Sequence, residues 1–203
     1  MTSPCQLFLQ AELSISSHTA VDWINFCREL LAQWISNGEK QLGGPNIIVE
    51  IDEAKFGRRK YHRGRIISQW LFGAIERDTG RLFILPVNQR SSDVLIPIIR
   101  HRIAPGNIIH SDCWRAYNSL CNYSYIHNKV NHKENFVDPQ TGVYTQNIER
   151  LWRDMRGGIP RYGIREKHYM YYIAEFVFKR KYEYHQRIDK FFEIMASLYP
   201  MED

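Results

Sequence analysis

The sequence is short of cysteine. Cys5, Cys27, Cys113 and Cys121 are its four thiols, and no two of them form a C-x-x-C pair. This excludes a zinc ribbon or a dithiol redox motif, and the scatter points to free thiols in a reducing compartment. No apolar run approaches the ~18 residues needed to cross a bilayer. The N-terminus has no basic stretch leading into an apolar core, so no signal peptide is expected. Internal repeats and low-complexity segments are absent too, which removes solenoids and linker-rich architectures from consideration.

What remains is an ordinary globular composition, 44% hydrophobic over 203 residues, enough for one good-sized domain and a small appendage. Aromatics are plentiful, with twelve Tyr, ten Phe and five Trp. The formal net charge of +5 makes a polyanionic or acidic-surface partner plausible.

The stretch from Ile47 to Arg65 concentrates the chemistry. Ile47, Ile48, Val49 and Ile51 form a β-branched run that reads as a buried strand over 47–52, ending in Asp52 and Glu53. Arg58, Arg59, Lys60, His62, Arg63 and Arg65 follow at once, with Gly57 and Gly64 among them. A carboxylate at the end of a buried strand is costly to desolvate and is usually paired, hydrogen-bonded or metal-bound. Beside a cluster of phosphate-seeking side chains, it suits phosphoryl transfer on nucleic acid. The plainer alternative is a strand cap followed by a solvated hairpin.

Elsewhere, Val21, Trp23, Ile24, Phe26, Leu30, Leu31 and Trp34 recur at helical spacing, capped by a Ser or Thr and ended near Asn37-Gly38. The polar, glycine-rich stretch 37–46 reads as a linker. Strands are expected at 67–76 and 82–87 around the Asp78-Thr79-Gly80 turn. A helix over Ser91–Ile103 follows, then a short strand Ile108-Ile109-His110 running into Ser111-Asp112. Cys113–Leu120 reads as a helix, Tyr125–Val130 as a fifth strand, Thr145–Met155 as a helix broken by Gly157-Gly158, and 166–198 as helical. Three strands in a meander followed by helix, strand, helix and strand is the ribonuclease-H-like order. The expected fold is therefore α/β, a mixed five-stranded sheet flanked by helices, with a short N-terminal helical segment and a helical C-terminus.

In that order the first and fourth strands are neighbours, which brings Asp52 and Asp112 to adjacent strand ends. Glu149 lies on the first turns of the helix starting near Thr145, with Trp152, Arg153 and Arg156 on the same face. Two aspartates and a glutamate can hold two divalent ions, Mg²⁺ or Mn²⁺. Against this stand strand-end caps for the aspartates and, for Glu149, a capping-box or surface acid paired with Arg153 at i+4. His110 reads as a core or site-shaping residue, and His127 and His132 are too loosely spaced for zinc. The C-terminal aromatics read as core before they read as a base-stacking platform.

Four motifs carry a resemblance: Val49–Arg65, His110-Ser-Asp-Cys-Trp-Arg-Ala-Tyr117, Val130-Asn-His132 with Phe136–Gly142, and Thr145-Gln-Asn-Ile-Glu-Arg-Leu-Trp152. Together they resemble the catalytic domain of the Merlin superfamily of DDE transposases and its bacterial ISXO-like insertion-sequence relatives, over about residues 40–185. Bacterial members often have Asn where Gln146 stands and Lys where Arg156 stands. The resemblance implies metal-dependent DNA cleavage and strand transfer. Asp52, Asp112 and Glu149 would be the catalytic, metal-holding acids, with two Mg²⁺ or Mn²⁺ ions between them. Arg58, Lys60, Arg63, Arg65, Arg153 and Arg156 would contact DNA phosphates. Partners would be transposon ends and target DNA, and further copies of the chain in the active complex, with no membrane. Localisation would be nuclear in a eukaryote and cytoplasmic in a bacterium. Relatives carry an N-terminal zinc-binding and helix-turn-helix region. Residues 1–40 are expected to hold the remnant of that region and a linker, and 41–203 the catalytic domain with its C-terminal helices. Two other readings share the fold: a domesticated, catalytically silent DNA-binding protein, and a host nuclease.

Overall fold

The computed structural model describes residues 6–38, 40–57, 68–132, 134–160, 164 and 168–200. The chain divides into two compact units, residues 40–166 and residues 1–39 with 167–203.

In the first unit the strands are β1 (Ile48–Phe56), β2 (Gln69–Glu76), β3 (Leu82–Val87), β4 (Ile108–Asp112) and β5 (Ile126–Val130). They form one sheet in the order β3-β2-β1-β4-β5. β1 pairs antiparallel with β2 and parallel with β4, and β5 is parallel to β4. This is the mixed, ribonuclease-H-like sheet expected from the element order. Along β1 the side chains alternate between faces. Val49 and Ile51 enter an apolar cluster with Phe72, Ala74, Leu95, Ile99 and Ile109, which joins the sheet to the helix α3 (Ser92–Arg102). Glu50, Asp52, Ala54 and Phe56 point to the other face, which α4 (Gln146–Gly158) covers by packing on β1 and β2. Ile148, Leu151, Trp152 and Met155 of α4 are buried there, the spacing of a helix stripe laid on a sheet.

Two local readings change. β1 does not end at Asp52: its ladder with β2 continues to Phe56 opposite Gln69, whereas its pairing with β4 reaches only Glu50 opposite His110. Asp52 therefore sits within a strand, just past the part paired on both sides, while Asp112 closes β4. Residues 113–120 are not one α-helix but 3₁₀ turns at Arg115–Tyr117 and Leu120–Tyr123. Trp114, Tyr117 and Leu120 all pack on the α3-side core. Their three-residue spacing matches the three residues per turn of a 3₁₀ helix, not the 3.6 of an α-helix.

In the second unit, α1 (Gln6–Leu13) precedes α2 (Ser17–Asn37), which packs on α5 (Tyr169–Lys181) and α6 (Arg187–Leu198). Ser16 caps α2 by accepting from the Thr19 backbone N–H at 3.1 Å, and Gly38 closes it. Leu30, Leu31, Ala174, Phe178 and Ile194 form the core, with Trp34 set edge-on to Phe178 at 6.0 Å. Arg28 Nε donates to Glu175 at 2.7 Å. Tyr169 and Phe178 are thus core residues, while Tyr184, Phe192 and Tyr199 are exposed.

Candidate functional site

Asp52 and Glu149 line one cleft of about 620 Å³, with Glu53, Ala54, Trp152, Arg153, Arg156 and Gly157 completing its wall. The cleft forms because α4 crosses the Asp52 face of β1 beyond the last residue of that strand paired with β4. Asp112 closes the neighbouring strand, its Oδ1 accepting the Trp114 backbone N–H at 3.0 Å.

The Asp52 carboxylate accepts the Trp152 indole N–H, 3.0 Å from Oδ2. The indole reaches it because Gly73, directly opposite Asp52 in the β1–β2 ladder, has no side chain: a Cβ there would lie 2.6 Å from the Trp152 ring. Burial pushes the Asp52 carboxyl up to about 6, and the charges of Asp112 and Glu149 add to the rise, opposed by the Glu53 backbone N–H and the Trp152 bond.

Glu149 keeps a side chain 41% exposed, and its Oε1 lies 3.3 Å from His132 Nε2. The same His132 nitrogen is 2.7 Å from the Thr145 hydroxyl. The side chain seen against Glu149 is therefore His132, not Arg153. Among the described residues, no three His, Cys, Asp or Glu side chains stand close enough together to hold a metal ion. Arg153 and Arg156 both face the cleft, and Arg156 lies over the Phe56 ring at 5.1 Å. Arg58, Lys60, Arg63 and Arg65 lie outside the described residues.

A fourth acid is prominent. Glu53 Oε2 accepts from Arg90 Nε at 2.9 Å, while its buried Oε1 has no hydrogen-bond partner among the described residues. Burial first, then the charge of Asp52, pushes Glu53 up to about 8 against the pull of Arg90. Arg90 lies over the Trp114 ring at 4.2 Å.

The sequence did not single out Glu50, which is fully buried on the α4 side of β1. Its Oε2 accepts the backbone N–H groups of Asn147 (2.9 Å) and Ile148 (3.1 Å). Its Oε1 accepts from Asn147 Nδ2 (2.8 Å) and from Arg77 Nε (3.1 Å) and Nη2 (2.9 Å). Thr145 occupies the N-cap position expected for it, but its side chain does not cap the helix. The two-residue offset of Glu50 from Asp52 was the available signal, since alternation along a strand puts both on one face. Nothing in the sequence pointed to Arg77 or Gly73, whose parts follow from the β2 register.

Against known proteins, residues 41–181 match the ISXO2-like transposase domain. An uncharacterized transposase-like protein of Haemophilus influenzae is 26% identical over 96 residues, which cover 47% of this chain and 76% of that protein. Among solved structures, the catalytic core domain of BIV integrase superposes with a TM-score of 0.42 at 14% identity, covering 75% of this chain and 97% of that one. The HTLV-2 integrase catalytic core domain in complex with magnesium gives 0.37 at 14%, covering 80% and 93%. A chain of the simian T-cell lymphotropic virus intasome with a PP2A regulatory subunit gives 0.39 at 13%, covering 80% of this chain but only 51% of that one. Superpositions this loose carry no weight for the chemistry. The domain match spans more than half of the chain and includes β1, β4 and α4, and on that ground the chain belongs to the ISXO2-like transposase domain family.

Proposed function

We propose that this domain cleaves DNA and joins its strands by divalent-metal-dependent phosphoryl transfer, with Asp52, Asp112 and Glu149 as the metal-holding acids. The observation that carries the reading is the placement of Asp52 and Glu149 in one cleft with Arg153 and Arg156, with Asp112 at the end of the adjacent strand. The donor set is oxygen only, which suits Mg²⁺ or Mn²⁺. A carboxylate whose proton affinity is raised by burial and by two neighbouring acids is one that a cation would relieve. Two bound ions would supply activation of the attacking oxygen and stabilisation of the leaving oxygen.

The chain's own groups have separate tasks. Trp152 fixes the Asp52 carboxylate. Arg153 and Arg156 draw DNA phosphates to the cleft, and Arg58, Lys60, Arg63 and Arg65 also bind phosphates, setting affinity and not sequence. DNA ends and target DNA are the substrates, and further copies of the chain are partners in the active complex.

One observation favours a second reading, a DNA-binding protein that keeps the fold without its chemistry. Glu149 is engaged by His132, and the acids as they stand are not grouped for one ion. A nicking and strand-transfer assay on labelled duplex with Mg²⁺ or Mn²⁺ separates the two. Metal-dependent nicks and joined products support the catalytic reading. DNA binding without either supports the silent binder, and hydrolysis without joining points to a nuclease.

A further inference from the structure

We propose that a hub of Glu50, Arg77, His110 and Asn147, built around the buried Glu50, positions Glu149 relative to Asp52 and Asp112; the inference rests on the catalytic reading above. Each acid stands two residues beyond a hub member: Asp52 after Glu50 on β1, Asp112 after His110 on β4, and Glu149 after Asn147 on α4. Glu50 and His110 are direct partners in the β1–β4 ladder.

Arg77 links the parts. Its Nη2 donates to Glu50 Oε1 (2.9 Å), to His110 Nδ1 (3.1 Å) and to the Tyr144 carbonyl (3.1 Å). Its guanidinium also lies over the Tyr144 ring at 3.8 Å, at the entry to α4. Its backbone N–H donates to Ile48 O at 2.9 Å, which ties it to the start of β1.

Glu50 then does for α4 what an N-cap side chain ordinarily does. Asn147 and Ile148 are the second and third helical residues, whose N–H groups find no partner within the helix. A negative carboxylate also suits the positive end of the helix dipole. Because the cap comes from β1 and not from Thr145, the helix start is fastened to the strand that carries Asp52. Glu149 is the next residue of the helix, so its backbone is set from that strand. A carboxylate with no solvent exposure is retained because its donors and the guanidinium offset its desolvation.

Glu50→Gln tests this. Gln keeps the shape, but its amide group turns donors toward Arg77 and Asn147, which are donors themselves. Three measurements apply: hydrogen exchange at the Asn147 and Ile148 amides in the metal-free protein, Mn²⁺ affinity by titration, and the same affinity in Glu149→Gln and in the double variant. The expected results are faster exchange at both amides, Mn²⁺ binding weaker by about 10-fold or more, and a double variant no weaker than Glu149→Gln alone. Such non-additivity means that Glu50 acts through Glu149. Asn147→Ala removes one bond to Glu50 and keeps the backbone cap; it should shift Mn²⁺ affinity in the same direction by less, and it serves if Glu50→Gln does not fold. A folded variant with a lowered melting temperature but wild-type Mn²⁺ affinity, or with losses that add, overturns the hub as a positioning device and leaves it structural. A wild type that binds no Mn²⁺ overturns the catalytic reading, and the hub's positioning role with it.

Discussion

Gly73 and Trp152 meet where no side chain other than hydrogen fits: the indole occupies the space a Cβ at residue 73 would need, and from there it donates to Asp52. The smallest residue on β2 thus sets the environment of an acid on β1. Gly73→Ala should push the indole off the sheet. We expect a loss of about 1–3 kcal/mol of stability, typical of overpacking, and altered tryptophan fluorescence. Urea unfolding with fluorescence detection checks both, and an unshifted midpoint would show that the ring has room to move.

Trp152→Phe keeps much of the apolar packing and removes the N–H. Asp52 then loses its side-chain donor, at a cost of about 1–3 kcal/mol for a buried polar group left short of a partner. The carboxyl of Asp52 should also rise further, since the indole bond is one of the contributions that lower it. Carboxyl titration by NMR measures that rise directly.

The pH dependence follows from the sign of the Asp52 shift. Its folded value, about 6, lies above its ordinary 3.8. Between those values the folded protein keeps a proton that the unfolded chain has released, so stability falls as pH rises. The contribution is complete below about pH 3.8 and lost through about pH 6. It is of order 1–3 kcal/mol. Asp52→Asn should therefore gain on the wild type in metal-free melting temperature as pH climbs through this window. A difference that stays constant from about pH 4 to about 7 would contradict the assignment.

Asp52→Asn and Asp112→Asn should each abolish nicking while leaving DNA binding in place, and Glu149→Gln should behave alike. An amide is nearly isosteric with a carboxylate but holds a divalent ion far less well. Stabilisation by added Mg²⁺ or Mn²⁺ should shrink in all three. Melting curves with and without metal, run beside the nicking assay, give the answer.

Replacing Arg58, Lys60, Arg63 and Arg65 together should flatten the salt dependence of DNA binding by roughly 0.9 in log–log slope for each phosphate no longer neutralised. Binding isotherms across a salt series measure the slope. An unchanged slope would mean that these side chains face away from DNA.

The element order, and with it the sheet, was legible in the sequence because strand runs such as Ile47–Ile51 and Ile108–His110 and the stripe Ile148–Met155 carry their periods in plain view. Asp52 and Asp112 stood out because a charge at the end of a buried run needs a reason to be there, and Glu149 because its helix face also carries Trp152, Arg153 and Arg156. Other features belong to the tertiary structure alone. β1 extends to Phe56 because β2 lies alongside, a matter of pairing and not of propensity. The 3₁₀ turns after Asp112 arise from which side chains the α3-side core accepts. Thr145 has the residue type and position of a helix cap, yet the capping bonds come from Glu50, 97 residues earlier in the chain than Asn147. A local rule names the residue suited to a cap, but which oxygen reaches the amides depends on the strand that folding brings beneath the helix. Glu50, Arg77, His110 and Asn147 lie far apart along the chain, and the β1–β2 and β1–β4 registers and the docking of α4 on β1 make them neighbours.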